Sequence, residues 1–108
     1  MKVREAAFKT CVFTLYVDTG RAPEFTDITD RVAQVLRDSE ILNGFALVFS
    51  KHTTAAITIQ EDEPLLLTDM KSTLERFAPS NADYRHNDFA VRTVHMHEDE
   101  CPNGHAHC

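Results

Sequence analysis

The chain has 108 residues, 43% of them hydrophobic, which suffices for one core but not for two, so a single domain over residues 1–108 is expected. A formal net charge of −6 would repel a phosphate backbone, and this excludes nucleic acid as an expected partner. The N-terminal residues lack the apolar run of a signal peptide and no membrane-spanning apolar stretch follows, so we expect a cytoplasmic protein without a membrane partner.

The first predicted element is a strand over residues 8–17. Its residues are β-branched and aromatic, and Cys11, Phe13 and Val17 fall on one face at a period of two. Turn residues follow at 18–23, where Pro23 cannot donate a hydrogen bond to a sheet.

Two helices are predicted from apolar residues at helical spacing. The first begins near Thr29, which we expect to be the N-cap, and ends before Asn43. The second has Asp62 as its expected cap and Pro64 in its first turn, and Pro79 stops it.

Two further strands are predicted between these helices, at residues 45–49 and 55–60. Strand-like residues recur more weakly at 89–94. This order of elements predicts an α+β fold, in which two helices pack on a mainly antiparallel sheet or sandwich.

Histidine is the residue type that most strongly suggests chemistry, since neutral imidazole is the commonest protein ligand for transition metals. All six histidines lie in the second half: His52, His86, His95, His97, His105 and His107. Some of them are equally well interpreted as surface residues. His52 stands out because Thr53 and Thr54, at a strand end, could hold a phosphate or a metal-bound water.

Acidic residues follow the His52 strand. Asp62 and Glu63 are explained by the positive end of a helix dipole. Glu61 differs, because strand alternation places it on the same face as Ile57 and Ile59, where a carboxylate needs a partner.

The C-terminal tail offers a competing site. His105 and His107 fall on one side of an extended segment, with Cys101 and Cys108 as additional soft ligands. A metal-binding tail is therefore an alternative, although the two cysteines are too far apart for the usual zinc signature.

Four motifs occur in order along the chain: His52-Thr-Thr-Ala-Ala-Ile-Thr-Ile-Gln-Glu61, Asp69-Met70, Tyr84-Arg-His86 and Asn103-Gly-His-Ala-His107. Together they resemble the YjbQ family, which is also described as secondary thiamine-phosphate synthase. The resemblance implies a compact α+β fold and a homotrimer. It also implies that the chain is truncated at its C-terminus, because the family's further strands and its Trp-containing motif are absent.

The resemblance implies a site as well. His52, His86 and His107 would be the metal ligands, and zinc suits such a set better than magnesium. Glu61 and Asp69 match the family's acidic positions and would act as base or orienting residues. Thr53 and Thr54 would face a small phosphorylated substrate.

The reaction implied is thiamine-phosphate synthesis, in which a pyrimidine pyrophosphate and a thiazole phosphate join with loss of pyrophosphate. One alternative is zinc-assisted hydrolysis, with Glu61 taking a proton from a metal-bound water. The other is a non-enzymatic metal-binding module that uses the tail histidines and not His52.

Overall fold

The structure is a computed structural model that describes residues 7–108. It contains three α-helices, α1 (Thr29–Ser39), α2 (Pro64–Phe77) and α3 (Gly104–His107), and a 3-10 helix at Arg85–Asn87. The chain divides into two compact units. The first comprises the described part of Met1–Thr19 with Thr26–Leu47, and the second comprises Gly20–Phe25 with Val48–Cys108.

Helix α1 is capped by Asp27, which lies one residue before the N-cap position. The prediction of Thr29 as the N-cap is wrong: Ile28 occupies that position and has no side-chain cap, and Thr29 is the first helical residue. Asp27 instead accepts hydrogen bonds from the Thr29 backbone N–H at 2.9 Å and from the Thr29 hydroxyl at 2.6 Å. These bonds, the one from the hydroxyl foremost, lower the pKa of the Asp27 carboxyl. The helix ends at Glu40, which takes the left-handed conformation.

Helix α2 confirms the second predicted helix, but Asp62 as its cap is wrong. Glu63 is the N-cap residue, and its carboxylate accepts from the N–H groups of Leu65 at 3.0 Å and Leu66 at 2.7 Å. Pro64 follows at the first helical position, where its missing N–H costs no hydrogen bond. No helix among residues 7–108 combines the length and the apolar character needed to cross a membrane.

The predicted α+β sheet is wrong for the described residues. Residues 8–17, 45–49 and 55–60 form no strand, and residues 7–108 contain none. A strand exists only through hydrogen bonds to a neighbouring strand, and β-branched or aromatic composition cannot supply that neighbour. The apolar side chains meant for the sheet faces are accordingly exposed: Phe45 is 100% and Ile59 is 102% exposed. No hydrophobic side chain in the described part is buried.

The C-terminal part of the second unit is built around short helical turns. Helix α3 packs on the 3-10 helix at Arg85–Asn87. Residues 89–94, predicted as strand-like, form turns instead, with the N–H groups of Val91 and Arg92 donating to the Asp88 carbonyl at 3.1 and 2.9 Å. This arrangement brings residues 84–87 against residues 103–107.

Candidate functional site

An open hollow of about 360 Å³ lies at the loop that carries His52. Residues 49–53 line it: Phe49, Ser50, Lys51, His52 and Thr53. A turn at residues 53–54 shapes the loop, and the Ala55 N–H donates to the His52 carbonyl at 3.4 Å. The hollow thus combines one apolar wall with an ammonium group, an imidazole and hydroxyl groups.

The His52 ring is oriented by Thr54. The Thr54 backbone N–H donates to His52 Nδ1 at 3.2 Å, and the Thr54 hydroxyl lies 3.0 Å from the same nitrogen. A backbone N–H can only donate, so Nδ1 must be the unprotonated nitrogen. The neutral ring therefore carries its hydrogen on Nε2, and His52 presents a hydrogen-bond donor.

This tautomer makes His52 a poor fit to the predicted metal site. A metal binds a ring nitrogen through its lone pair, and the Nε2 lone pair is free only when Nδ1 carries the hydrogen. Thr54 holds the opposite arrangement. Across residues 7–108, moreover, no three His, Cys, Asp or Glu side chains come together as a group that could hold a metal ion.

The structure does bring together the other two predicted ligands, His86 and His107. Their ring centroids are 4.7 Å apart with the planes inclined at 64°. The Gly104 N–H supports the pair by donating to Asn87 Oδ1 at 2.8 Å. Gly104 is buried, and a Cβ there would stand 2.5 Å from the Tyr84 Cβ, so only glycine permits this close approach.

An arginine that the sequence did not single out organises this region. The Arg92 guanidinium donates to Glu100 Oε2 at 2.6 Å, to the His86 carbonyl at 2.9 Å and to the His95 carbonyl at 2.7 Å. Both ring nitrogens of His86 lie within 3.3 Å of Arg92 Nη1. A fixed positive charge beside both nitrogens disfavours a metal ion at His86.

Glu100 completes the group. Its Oε1 lies 3.5 Å from His86 Nε2, and its Oε2 also accepts from the His97 N–H at 3.3 Å. The hydrogen bond from Arg92 is the main reason that the pKa of the Glu100 carboxyl is lowered. Glu100 and Arg92 are each only 11% exposed, which makes this ion pair a structural element of the loop.

The two predicted catalytic carboxylates lie elsewhere. Glu61 is exposed and does not line the His52 hollow. Asp69 lies on α2, where it lines a second hollow of about 240 Å³ with Leu66, Met70, Thr73 and Leu74. The two hollows share no lining residue, and the catalytic roles of Glu61 and Asp69 stay predictions.

Sequence patterns did not predict the ion pair of Arg92 with Glu100. The two are eight residues apart, and turns rather than a regular element bring them together, so no helix or strand pattern identifies the pair. The only available signal was a lone arginine between Val91 and Val94 in a segment otherwise rich in acidic residues.

Curated relatives from archaea and bacteria are similar to this chain. A UPF0047 protein of Methanothermobacter thermautotrophicus is 49% identical over 69 residues, which is 64% of this chain and 48% of the relative. A UPF0047 protein of Archaeoglobus fulgidus is 39% identical over 72 residues, 67% of this chain and 55% of the relative. The UPF0047 protein YugU of Bacillus subtilis is 42% identical over 65 residues, 59% of this chain and 47% of the relative. The chain thus spans about half the length of these relatives.

The relatives correct the predicted function. They are named only as UPF0047 proteins, a name that states no activity, and nothing about them supports thiamine-phosphate synthesis or dependence on a metal. The prediction of a metal-dependent synthase is therefore wrong on these findings, and the zinc-hydrolase and metal-module alternatives gain no support from them. A divalent metal as cofactor stays an untested prediction that the His52 tautomer does not favour.

A family model covers most of the chain. No solved structure matches this chain significantly. The model described as "UPF0047 protein YjbQ-like" matches residues 13–108, a range that includes all four ordered motifs. The predicted family is thereby confirmed, and the chain belongs to the YjbQ (UPF0047) family.

Proposed function

We propose that the loop of residues 50–54 binds the phosphate group of a small phosphorylated molecule. The observation that carries this proposal is the bond from the Thr54 N–H to His52 Nδ1, which leaves the His52 Nε2–H as a donor. An oriented donor of this kind suits an anion's oxygen atoms and opposes a metal ion.

The other residues of the hollow support the same ligand. Lys51 supplies a positive charge, and Thr53 supplies a hydroxyl that can donate to a phosphate oxygen. Phe49 offers an apolar surface for the organic part of the molecule. Because the whole chain carries a net charge of −6, a small ligand that enters this local site is favoured over a long polyanion.

Thr53 and Thr54 have different roles in this proposal. Thr53 lines the hollow and would contact the ligand, as predicted for both threonines. Thr54 would act through His52, since its N–H and hydroxyl are both directed at Nδ1. Thr54 is thus a positioning residue.

The test is a titration of the full chain with inorganic phosphate and, separately, with glycerol phosphate, followed by amide NMR shifts. We expect saturable shifts confined to residues 49–54. His52→Ala and Lys51→Ala should each weaken binding by about tenfold, the size of one charge-assisted hydrogen bond. His105→Ala, which alters a histidine outside the hollow, is the matched control.

Zinc provides the opposing measurement. The proposal predicts that zinc does not compete with phosphate for residues 49–54. Phosphate shifts that spread over the whole chain, or that survive intact in His52→Ala, would overturn the proposal. So would displacement of bound phosphate by zinc with loss of the Thr54 N–H bond.

We further propose that the protein resides in the cytoplasm. Cys11, Cys101 and Cys108 are free and exposed, a state that a reducing compartment preserves. Fractionation of cells followed by alkylation of free thiols tests this location, and recovery of disulfide-linked protein from an oxidising compartment would contradict it.

A further inference from the structure

The sequence contains Asn-Gly twice, at residues 43–44 and 103–104, and the structure gives the two pairs opposite surroundings. Both Asn43 and Gly44 are exposed, in a bend that follows α1. Gly104 is buried and begins α3, with Asn103 as the N-cap residue. Asn43-Gly44 is therefore the exposed dipeptide, and Asn103-Gly104, in which the glycine is buried, is a dipeptide of the same sequence for comparison.

The Gly44 nitrogen is available as a nucleophile. Gly44 lies outside any helix, and within residues 7–108 its N–H has no hydrogen-bond acceptor. Glycine at this position carries no side chain to shield the nitrogen, and the exposed bend allows the backbone to rotate toward the Asn43 amide. Water also reaches both residues.

We propose that Asn43 is a site of spontaneous deamidation and that Asn103 is protected from it. The Gly44 nitrogen attacks Cγ of Asn43, a new C–N bond closes a five-membered succinimide, and the Cγ–Nδ2 bond breaks. Ammonia leaves with the hydrogen from the Gly44 nitrogen. Water then opens either of the two ring C–N bonds and gives aspartate or isoaspartate.

Three features of the structure protect Asn103 from deamidation. The Gly104 N–H is engaged by Asn87 Oδ1 at 2.8 Å, so an attack would first break this bond. Tyr84 packs against Gly104 and limits rotation of the peptide. The Asn103 Oδ1 atom is itself buried, which shields this end of the side-chain amide from water.

Deamidation would change the connection that follows α1. It adds one negative charge to a chain whose net charge is already −6. The isoaspartate product also inserts a methylene into the main chain before residues 45–49. In a natural chain the deamidated product would therefore accumulate slowly with time at Asn43.

The experiment incubates the folded chain in mildly alkaline buffer made with heavy-oxygen water, followed by peptide mass spectrometry and an isoaspartate assay. We expect heavy oxygen to enter the peptide that contains Asn43 as aspartate and isoaspartate, with none above background at Asn103. A denatured sample should label both peptides.

Two variants make the outcome decisive. Gly44→Ala should suppress labelling at Asn43, and it should fold normally because a Cβ there meets Ile41 Cγ2 at an ordinary 3.5 Å. Asn87→Ala removes the acceptor of the Gly104 N–H and should allow labelling at Asn103. Equal labelling of both sites in the folded chain, or an unlabelled Asn43 beside a labelled denatured control, would overturn the proposal.

Discussion

At the scale of single residues, the packing of Gly104 against Tyr84 leaves no room for a side chain. Gly104→Ala should separate α3 from the 3-10 helix or shift Tyr84, at a cost of about 1–3 kcal/mol typical of overpacking. Hydrogen exchange of residues 103–107 measures this loss. The matched control is Gly44→Ala, where the new Cβ makes only an ordinary contact. Equal effects of the two variants would contradict the packing argument.

Arg92 is expected to determine the order of the loop around it. Its guanidinium donates to carbonyl groups of three residues and to one carboxylate, so truncation leaves several acceptors without a partner. Arg92→Ala should speed amide exchange across residues 93–100 by about tenfold. Arg85→Ala removes an equal charge from an exposed position nearby and should change little. A uniform response to both variants would refute the assigned role.

Some residues of the site could be predicted from the sequence, and others could not. His86 and His107 could be named from motifs, and the structure brings their rings together. The ion pair of Arg92 with Glu100 depends on a sequence of turns, for which single residues carry little pattern. The tautomer of His52 depends on one backbone N–H, which no composition argument can locate.

At the scale of elements, the two neighbouring carboxylates at the N-terminus of α2, Asp62 and Glu63, are expected to contribute differently to its stability. Glu63→Ala removes the acceptor of two backbone N–H groups and should lower the free energy of unfolding by about 1 kcal/mol. Asp62→Ala, the cap expected from sequence, should have a smaller effect. Urea unfolding followed by circular dichroism compares the two, and a larger loss in Asp62→Ala would contradict the structure.

Acid should loosen the segment that Glu100 holds. The folded-state pKa of Glu100 lies below the ordinary value of 4.5, so its stabilising contribution is present above that value. The contribution is lost as the pH falls through the folded-state pKa. The protection of the amides of residues 92–100, measured as their exchange rate relative to the intrinsic rate at each pH, should therefore fall below pH 4.5 in the native chain and not in Glu100→Gln, which is already loosened. Glu98→Gln should behave like the native chain.

Helices and strands differed in how well the sequence predicted them, for a physical reason. A helix satisfies its hydrogen bonds within one segment, so apolar spacing and caps locate the start of α1 and both ends of α2 to within a residue or two. A strand requires a partner that the segment itself does not encode. The extended residues 8–17, 45–49 and 55–60 have the composition of strands without a ladder.

At the scale of the whole molecule, the exposed apolar side chains provide a test of the homotrimer that the family resemblance implies. Phe45, Leu47 and Ile59 are each at least 90% exposed, and such side chains are stabilised when another chain covers them. Sedimentation equilibrium should give three times the chain mass of 12.2 kDa. Ile59→Lys should shift the equilibrium toward monomer, whereas Ser72→Lys, at an exposed polar position of α2, should not. A monomer in the native protein would refute the assembly.

Family membership was predictable at this scale although the sheet was not. Ordered motifs are read from the sequence whether or not strands pair, and the family match over residues 13–108 includes all four of them. The expected single domain stays a prediction.

The bond between the Gly104 N–H and Asn87 closes a loop of chain, because the two residues are 17 positions apart. Closing a flexible loop of this length costs roughly 2.5 kcal/mol in chain entropy, and the contacts of α3 must exceed that cost to hold it shut. Opening would release α3, the His86–His107 ring pair and the enclosed turns as one cooperative unit. The exchange rate of the single Gly104 amide therefore reports how often this entire unit opens.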